Sequence, residues 1–253
     1  MKHARIFAAL WLVALLLIAT PRPASAQQPG SLLIWPVNPV IEGDARAAAL
    51  WLENPGKAPI TLQVRIFAWA QQNGENVYAP QNDVVGTPPI VSIAPGERQL
   101  IRLTRTTPPP DVAEKPYRIV VDEVPTGTAS AIPGASVSFR MRYSLPLFSY
   151  ALADKPKARH AAPAPMPQIA WHVGADTGGR FLEIRNTGTN HARLTDVSFV
   201  AGPKKSPVAE GLLGYVLPGA SMRWPLPNDA DTAGELIATV NGAGGISIAR
   251  RQE

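Results

Sequence analysis

Apolar side chains along this chain recur at every second position rather than every third or fourth. Over residues 60–69, Leu62, Val64, Ile66 and Ala68 fall on one face and Gln63, Arg65, Phe67 and Trp69 on the other. That is the period of a strand with one buried face. Short apolar runs predict further strands at 31–35, 47–52, 91–93, 99–104, 117–124 and 136–143. Turn residues separate them at Glu42-Gly43-Asp44, Asn54-Pro55-Gly56-Lys57 and Gln72-Asn73-Gly74. Strand patterns resume at 169–173, 181–185, 194–200, 214–216, 221–226 and 235–240, and a glycine-rich turn at 242–245 leads into a last run at 246–249. Many short strands at this spacing predict an all-β protein of antiparallel sandwiches or barrels, not a βαβ fold.

The composition changes between the two sets of strands. Residues 154–167 carry Lys155, Pro156, Lys157, Arg159 and His160, then a proline-alternating run ending at Pro167. Such a segment is extended and stiff. It predicts a linker between a first domain at 27–153 and a second at 168–253. The halves also share an echo. Leu52-Glu53-Asn54-Pro55-Gly56-Lys57 matches Ile184-Arg185-Asn186-Thr187-Gly188-Thr189, and Ile93-Ala94-Pro95-Gly96 matches Val216-Leu217-Pro218-Gly219. Related halves and independently arising good turns both account for it.

The first 26 residues predict a cleaved secretory leader. Lys2 and Arg5 precede an unbroken apolar stretch from Ile6 to Ala19, and Ala24-Ser25-Ala26 is a small-x-small cleavage site. A membrane anchor would need a longer run. The expected product starts at Gln27, is exported and has no stable membrane insertion. Without Lys2, Arg5 and Arg22 the net charge falls from +5 to +2, too little to imply nucleic acid as a partner. The chain has no cysteine, so disulfides, thiolate metal sites and cysteine nucleophiles are excluded.

Candidate chemistry is sparse. Beyond the leader, the histidines are His160, His172 and His191, none with a second histidine at helical spacing or an acidic cluster nearby, so no metal site is expected. No nucleophile elbow or Ser-x-x-Lys element occurs. Asn241-Gly242-Ala243-Gly244-Gly245 lacks the Lys-Ser/Thr ending of a phosphate loop and predicts a hairpin turn. No enzyme activity and no cofactor are expected. The arginines at 98, 102, 105, 118, 140 and 142 mark sheet faces, with Phe139 and Tyr143 too few aromatics for an RNA-reading sheet.

Several ordered segments carry a resemblance. They are Ala49-Leu50-Trp51-Leu52-Glu53-Asn54, the strand at 60–69, Thr87-Pro88-Pro89-Ile90, Ile93-Ala94-Pro95-Gly96, Leu100-Ile101-Arg102-Leu103, Tyr117-Arg118-Ile119, Asp122-Glu123-Val124-Pro125 and 136–143 running into Leu147-Phe148. Together they resemble the N-terminal domain of the PapD-like periplasmic chaperones of chaperone–usher pili. Residues 34–42 and 49–54 resemble the archaic, Csu-type branch of that family.

The resemblance implies two immunoglobulin-like β-sandwiches with a cleft between them. It also implies a function in which the chaperone binds, folds and caps pilus subunits by donor-strand complementation and delivers them to an outer-membrane usher. An extracytoplasmic structural or adhesive pilus component is the alternative. The donor residues implied are Val137, Phe139 and Met141, alternating with Ser138, Arg140 and Arg142. The family anchors the subunit's terminal carboxylate with an arginine on the first strand and a lysine late in the donor strand. Asn38 and Pro146 stand there in this chain, and Tyr150 replaces an interdomain arginine, while Glu123 is retained. The carboxylate anchor is therefore expected on neighbouring strands, at Arg118 first and Arg102 second.

Overall fold

The computed structural model of the protein describes residues 32–125, 140–152 and 166–251. The predicted leader, Val137 and Phe139, and residues 154–165 of the predicted linker lie outside the described residues. The described residues form strands and turns, with no helix, in two sandwiches.

The first sandwich contains β1 (Leu33–Trp35), β2 (Val40–Ile41), β3 (Ala47–Glu53), β4 (Ile60–Gln72), β5 (Glu75–Ala79), β6 (Val84–Thr87), β7 (Ile90–Ile93), β8 (Arg98–Arg105), β9 (Glu114–Glu123) and β10 (Arg142–Tyr150). One sheet runs β1-β3-β8-β6, and the other runs β2-β10-β9-β4-β5 with β7 also on β4. Leu50, Leu52, Ile101 and Leu103 from the first sheet meet Leu62, Val64, Ile119, Val121, Leu145 and Leu147 from the second. Each such side chain removed from water contributes about 1.5–3 kcal/mol against the entropy of ordering the chain.

The second sandwich contains β11 (Ile169–Asp176), β12 (Gly179–Asn186), β13 (Ala192–Ala201), β14 (Lys204–Val216), β15 (Ser221–Pro225), β16 (Glu235–Val240) and β17 (Ala243–Arg250). They follow the order β14-β13-β16-β17-β11-β12-β15. A short parallel seam, Ala170 with Ala249 and Trp171 with Arg250, joins β11 to β17. Trp171, Leu182, Ile184, Leu194, Phe199 and Leu236 lie in its core.

The strand predicted at 136–143 is only partly tested. Residues 136–139 lie outside the described residues, 140–141 are not strand, and β10 runs on from Arg142 through Tyr143 to Tyr150. Pro146 lies inside it, buried, with its nitrogen turned away from β9, as described below.

The echo between the halves is a shared hydrogen-bond motif. Asn54 and Asn186 are both 0% exposed. Asn54 Nδ2 donates to the carbonyls of Ala58 (2.8 Å) and Ile93 (3.0 Å). Asn186 Nδ2 donates to those of Asn190 (2.8 Å) and Val216 (3.1 Å). In each case the Asn Oδ1 accepts the N–H of the glycine two residues on, at 2.9 Å. The main-chain N–H of each Asn extends the ladder to the neighbouring strand, donating to the carbonyl of Glu97 or of Ala220. A side chain at Gly56 or Gly188 would crowd that Oδ1, with an added Cβ 2.9 or 3.2 Å away. The amide thus ties the turn after one strand to the Pro-Gly corner of another.

The two sandwiches meet over buried side chains. Trp69 lies on the outer face of β4 yet is 4% exposed, because Phe148, Tyr215 and Leu217 cover it. Gln71 behaves as an extra strand residue, donating to the Tyr215 carbonyl and accepting the Leu217 N–H, both at 2.8 Å. The β4–β5 hairpin tip reaches β15, where the Gly74 carbonyl accepts the Arg223 N–H. Gly74 has φ +83°, and a Cβ there would lie 2.7 Å from the Arg223 side chain, so the tip requires glycine.

A polar pair completes the junction. The Glu114 carboxylate, 0% exposed, accepts the His191 backbone N–H at 2.8 Å and pairs with its Nδ1 at 2.9 Å. The His191 ring stacks on Phe148, with centroids 3.8 Å apart.

Two predictions follow from these contacts. Asn54→Ala and Asn186→Ala each leave two carbonyls without their donor, at a cost of about 2–4 kcal/mol. Urea unfolding should show the loss in the domain that carries the substitution, and a change below about 0.5 kcal/mol, the level of an ordinary surface substitution, would contradict the motif. Glu114→Ala should broaden the distance distribution between spin labels on the two domains while each sandwich keeps its core. An unchanged distribution would show that the pair does not fix the domains.

Candidate functional site: an open strand edge beside an interdomain cleft

β10 pairs with β9 along its whole length, from Arg142 opposite Asp122 to Tyr150 opposite Glu114. On its other side, among the described residues, it meets only β2, in parallel, at Phe148 and Ser149. The Glu123 N–H donates to the Met141 carbonyl, which places the hydrogen-bonded pairs at odd-numbered residues of this strand. The N–H and C=O groups of Arg142 and Ser144 therefore point away from β9, toward an edge that no described strand covers. Pro146 has the same phase, so its missing N–H removes nothing from the β9 ladder. At Phe148 the outward N–H reaches the Pro39 carbonyl at 3.4 Å, where β2 begins to fill the row.

Side chains follow the same alternation. Tyr143, Leu145 and Leu147 face the core of the first sandwich. Met141, one step upstream in that series, is 39% exposed. Arg142 on the other face is held by Asp122, which also accepts from Arg65 at 2.5 Å. Burial pushes the Asp122 pKa up, but the hydrogen bonds and charges of Arg142 and Arg65 outweigh it and hold the carboxyl below its ordinary value. This contact pins the start of β10.

A cleft of about 900 Å³ runs along the open edge into the domain junction. Leu32, Ile34 and Val37 form one wall, Tyr143 to Pro146 the other, and Arg193, Leu212 and Tyr215 of the second sandwich its far end. Its lining includes Arg118, Arg193 and His191 and no Asp or Glu among the described residues. Arg118 stands directly opposite Pro146. Its guanidinium lies 4.0 Å over the Trp69 ring and 6.0 Å from that of Tyr215, a placement that favours the cation. Its Nε is buried without a hydrogen-bond partner among the described residues.

The candidates named from the sequence fall in different places. Met141 and Arg118 lie at opposite ends of the open edge, and Asn38 lines the cleft near Pro146. Arg102 is exposed on β8 in the other sheet, between Ala49 and Thr87, and does not line the cleft. Val137 and Phe139 lie outside the described residues. Glu114 and His191 were not expected to meet. They are 77 residues apart and in different domains, so no local spacing could reveal the pair. The acid beside Tyr150 is Glu114, whereas Glu123 ends β9 near Met141. His172 likewise has an acid nearby, Glu183 at 3.6 Å.

Comparison with known proteins places this geometry. Residues 35–150 match the family described as pili and flagellar-assembly chaperone, PapD N-terminal domain. No curated protein sequence matches the chain. Among solved structures, the CsuC–CsuE chaperone–tip adhesion subunit pre-assembly complex from archaic Csu pili of Acinetobacter baumannii matches at 31% identity and TM-score 0.69, covering 88% of this chain and 100% of the other. The SafB chaperone in complex with Salmonella enterica SafA pilin shares the fold at 19% identity and TM-score 0.58, over 88% of this chain and 95% of the other. The Pseudomonas aeruginosa CupB2 chaperone does so at 17% identity and TM-score 0.57, over 87% and 100%. The chain belongs to the PapD-like family of pilus-assembly chaperones and resembles its archaic, Csu-type branch.

Proposed function

We propose that this protein is a periplasmic chaperone that caps pilus subunits by lending them β10 and the residues before it, and passes them to an outer-membrane usher. The observation that carries the reading is the open edge of β10 leading into a cationic cleft. A subunit that lacks a strand exposes its core and unpaired backbone, an aggregation hazard. An edge strand with outward N–H and C=O groups supplies the missing pairing, and alternate side chains supply the missing core. The archaic Csu chaperone has been captured with a tip adhesion subunit and SafB with a pilin, and membership in their family supports the same partner class here.

The row beside β10 also constrains the partner's direction. A strand added along residues 142–146 cannot continue past Pro146, because β2 fills the same row from Pro39 and Val40 onward. The added strand loses its pairing there. A chain that terminates at that point presents a carboxylate if it runs parallel to β10 and an ammonium if it runs antiparallel. Arg118 beside Pro146 favours the carboxylate. Upstream, Val137 and Phe139 share the alternation phase of Met141 and are the side chains offered to the subunit core. Arg118 is the carboxylate anchor in this reading, and Arg102 stays outside it.

The test is recovery of bound subunit from the periplasm, identified by mass spectrometry. Phe139→Asp should lose about 2–4 kcal/mol of complex stability or more without unfolding the free chain. Arg118→Ala should lose about 3–5 kcal/mol, and Arg102→Ala should match an exposed control such as Arg185→Ala. Full recovery with both Phe139→Asp and Arg118→Ala would reject the reading. The exported protein should also have the intact mass of a chain starting at Gln27, and a soluble form that keeps residues 1–26 would reject cleavage.

A further inference from the structure

The second sandwich sends one cation into the cleft. Arg193 lies at the start of β13, directly after Ala192, which is fully buried, and two residues after His191. Its backbone is fixed on both sides. The Arg193 N–H donates to Asn241 Oδ1 at 2.7 Å, and its carbonyl accepts the Asn241 N–H at 3.0 Å. His191 is held in turn by Glu114 of the first sandwich and by stacking on Phe148. The start of β13 is thus locked to the first domain, and Arg193 lines the same cleft as Arg118. Among the described residues Arg193 forms no ion pair, and no carboxylate lines the cleft.

Arg118 and Arg193 line one cleft in which no Asp or Glu is found among the described residues, and like charges gathered there favour an anionic ligand over a cationic or neutral one. The walls beside them are apolar or neutral, which suits a single charge at the end of an otherwise uncharged strand rather than an acidic peptide. We infer that Arg193 is a direct ligand of the bound subunit's terminal carboxylate, so that the site for the chain end is built jointly by both domains. This inference rests on the strand-addition reading above. It gives the second sandwich a binding role. The junction contacts at Trp69, Gln71 and Glu114 hold Arg193 at a fixed position relative to β10, and a preset cation loses little entropy on binding.

The experiment uses the full chain and the subunit that co-purifies with it from the periplasm. Arg193→Ala, Arg193→Lys, Arg193→Glu and the exposed control Arg185→Ala are compared. Each is tested against the native subunit and against one extended by two glycines, which moves the carboxylate outward. Arg193→Ala and Arg193→Glu should cut recovery of the native subunit by roughly tenfold or more, and Arg193→Lys by less. The extended subunit should be poorly held by the wild type and no worse by Arg193→Ala. Arg193→Gln serves in place of Arg193→Ala if thermal melting shows that variant to be unfolded. Recovery equal to the Arg185→Ala control overturns the inference. So does an equal loss for both subunits, which would assign Arg193 to some other group. A wild-type chain that captures no subunit overturns the strand-addition reading instead, a result distinct from loss on substitution at Arg193.

Discussion

The backbone of β10 between Arg142 and Pro146 is the constraint on which the rest depends. Its hydrogen-bonding groups are satisfied on the β9 side and face, on the other, an edge that no strand among the described residues covers. Proteins ordinarily blunt such an edge, because it recruits other strands. Here Pro146 and β2 close the edge at the end toward the domain junction. The result is a template of limited length, with its closed end at the domain junction. In the proposed reading, the polarity of the added strand and the charge of its end are chosen by that geometry.

The junction is built to keep the closed end in place. An aromatic group buries the contact, Gln71 splices a strand-like pair of hydrogen bonds across it, and Glu114 fixes His191. Arg118 is set by a different interaction, the face of Trp69 at 4.0 Å. The same tryptophan therefore seals the two sandwiches together and holds a cation at the cleft floor. Stability of the domain arrangement and readiness of the site are coupled through one side chain.

Much of the fold was legible because strand period and turn chemistry are local. The alternation at Leu62 and Val64 and the Asn-x-Gly and Pro-Gly turns recur in the structure as core and corner. The paired Asn54 and Asn186 motifs show that the echo between the halves has a physical content beyond good turns. The continuation of β10 past Tyr143 was not legible, because Pro146 is accommodated only through sheet register, which turns its nitrogen away from β9. The burial of Trp69 could not be seen in the alternation of β4, because Tyr215 and Leu217 of the second domain supply part of its cover.

The site was less legible than the fold. Arg118 could be named from its neighbours in sequence, but the ring beneath it and the proline opposite it arise only from sheet register. Arg193 carried no signal, since its meaning depends on a junction between residues 77 apart. The most direct test of the account is hydrogen exchange at single backbone amides of β10, in the free chain and with subunit bound. The outward amides of Arg142 and Ser144 should exchange fast when free and become protected on binding, while those of Tyr143 and Leu145, paired to β9, should be protected in both. Unchanged exchange at Arg142 and Ser144 in a formed complex would contradict strand addition at this edge.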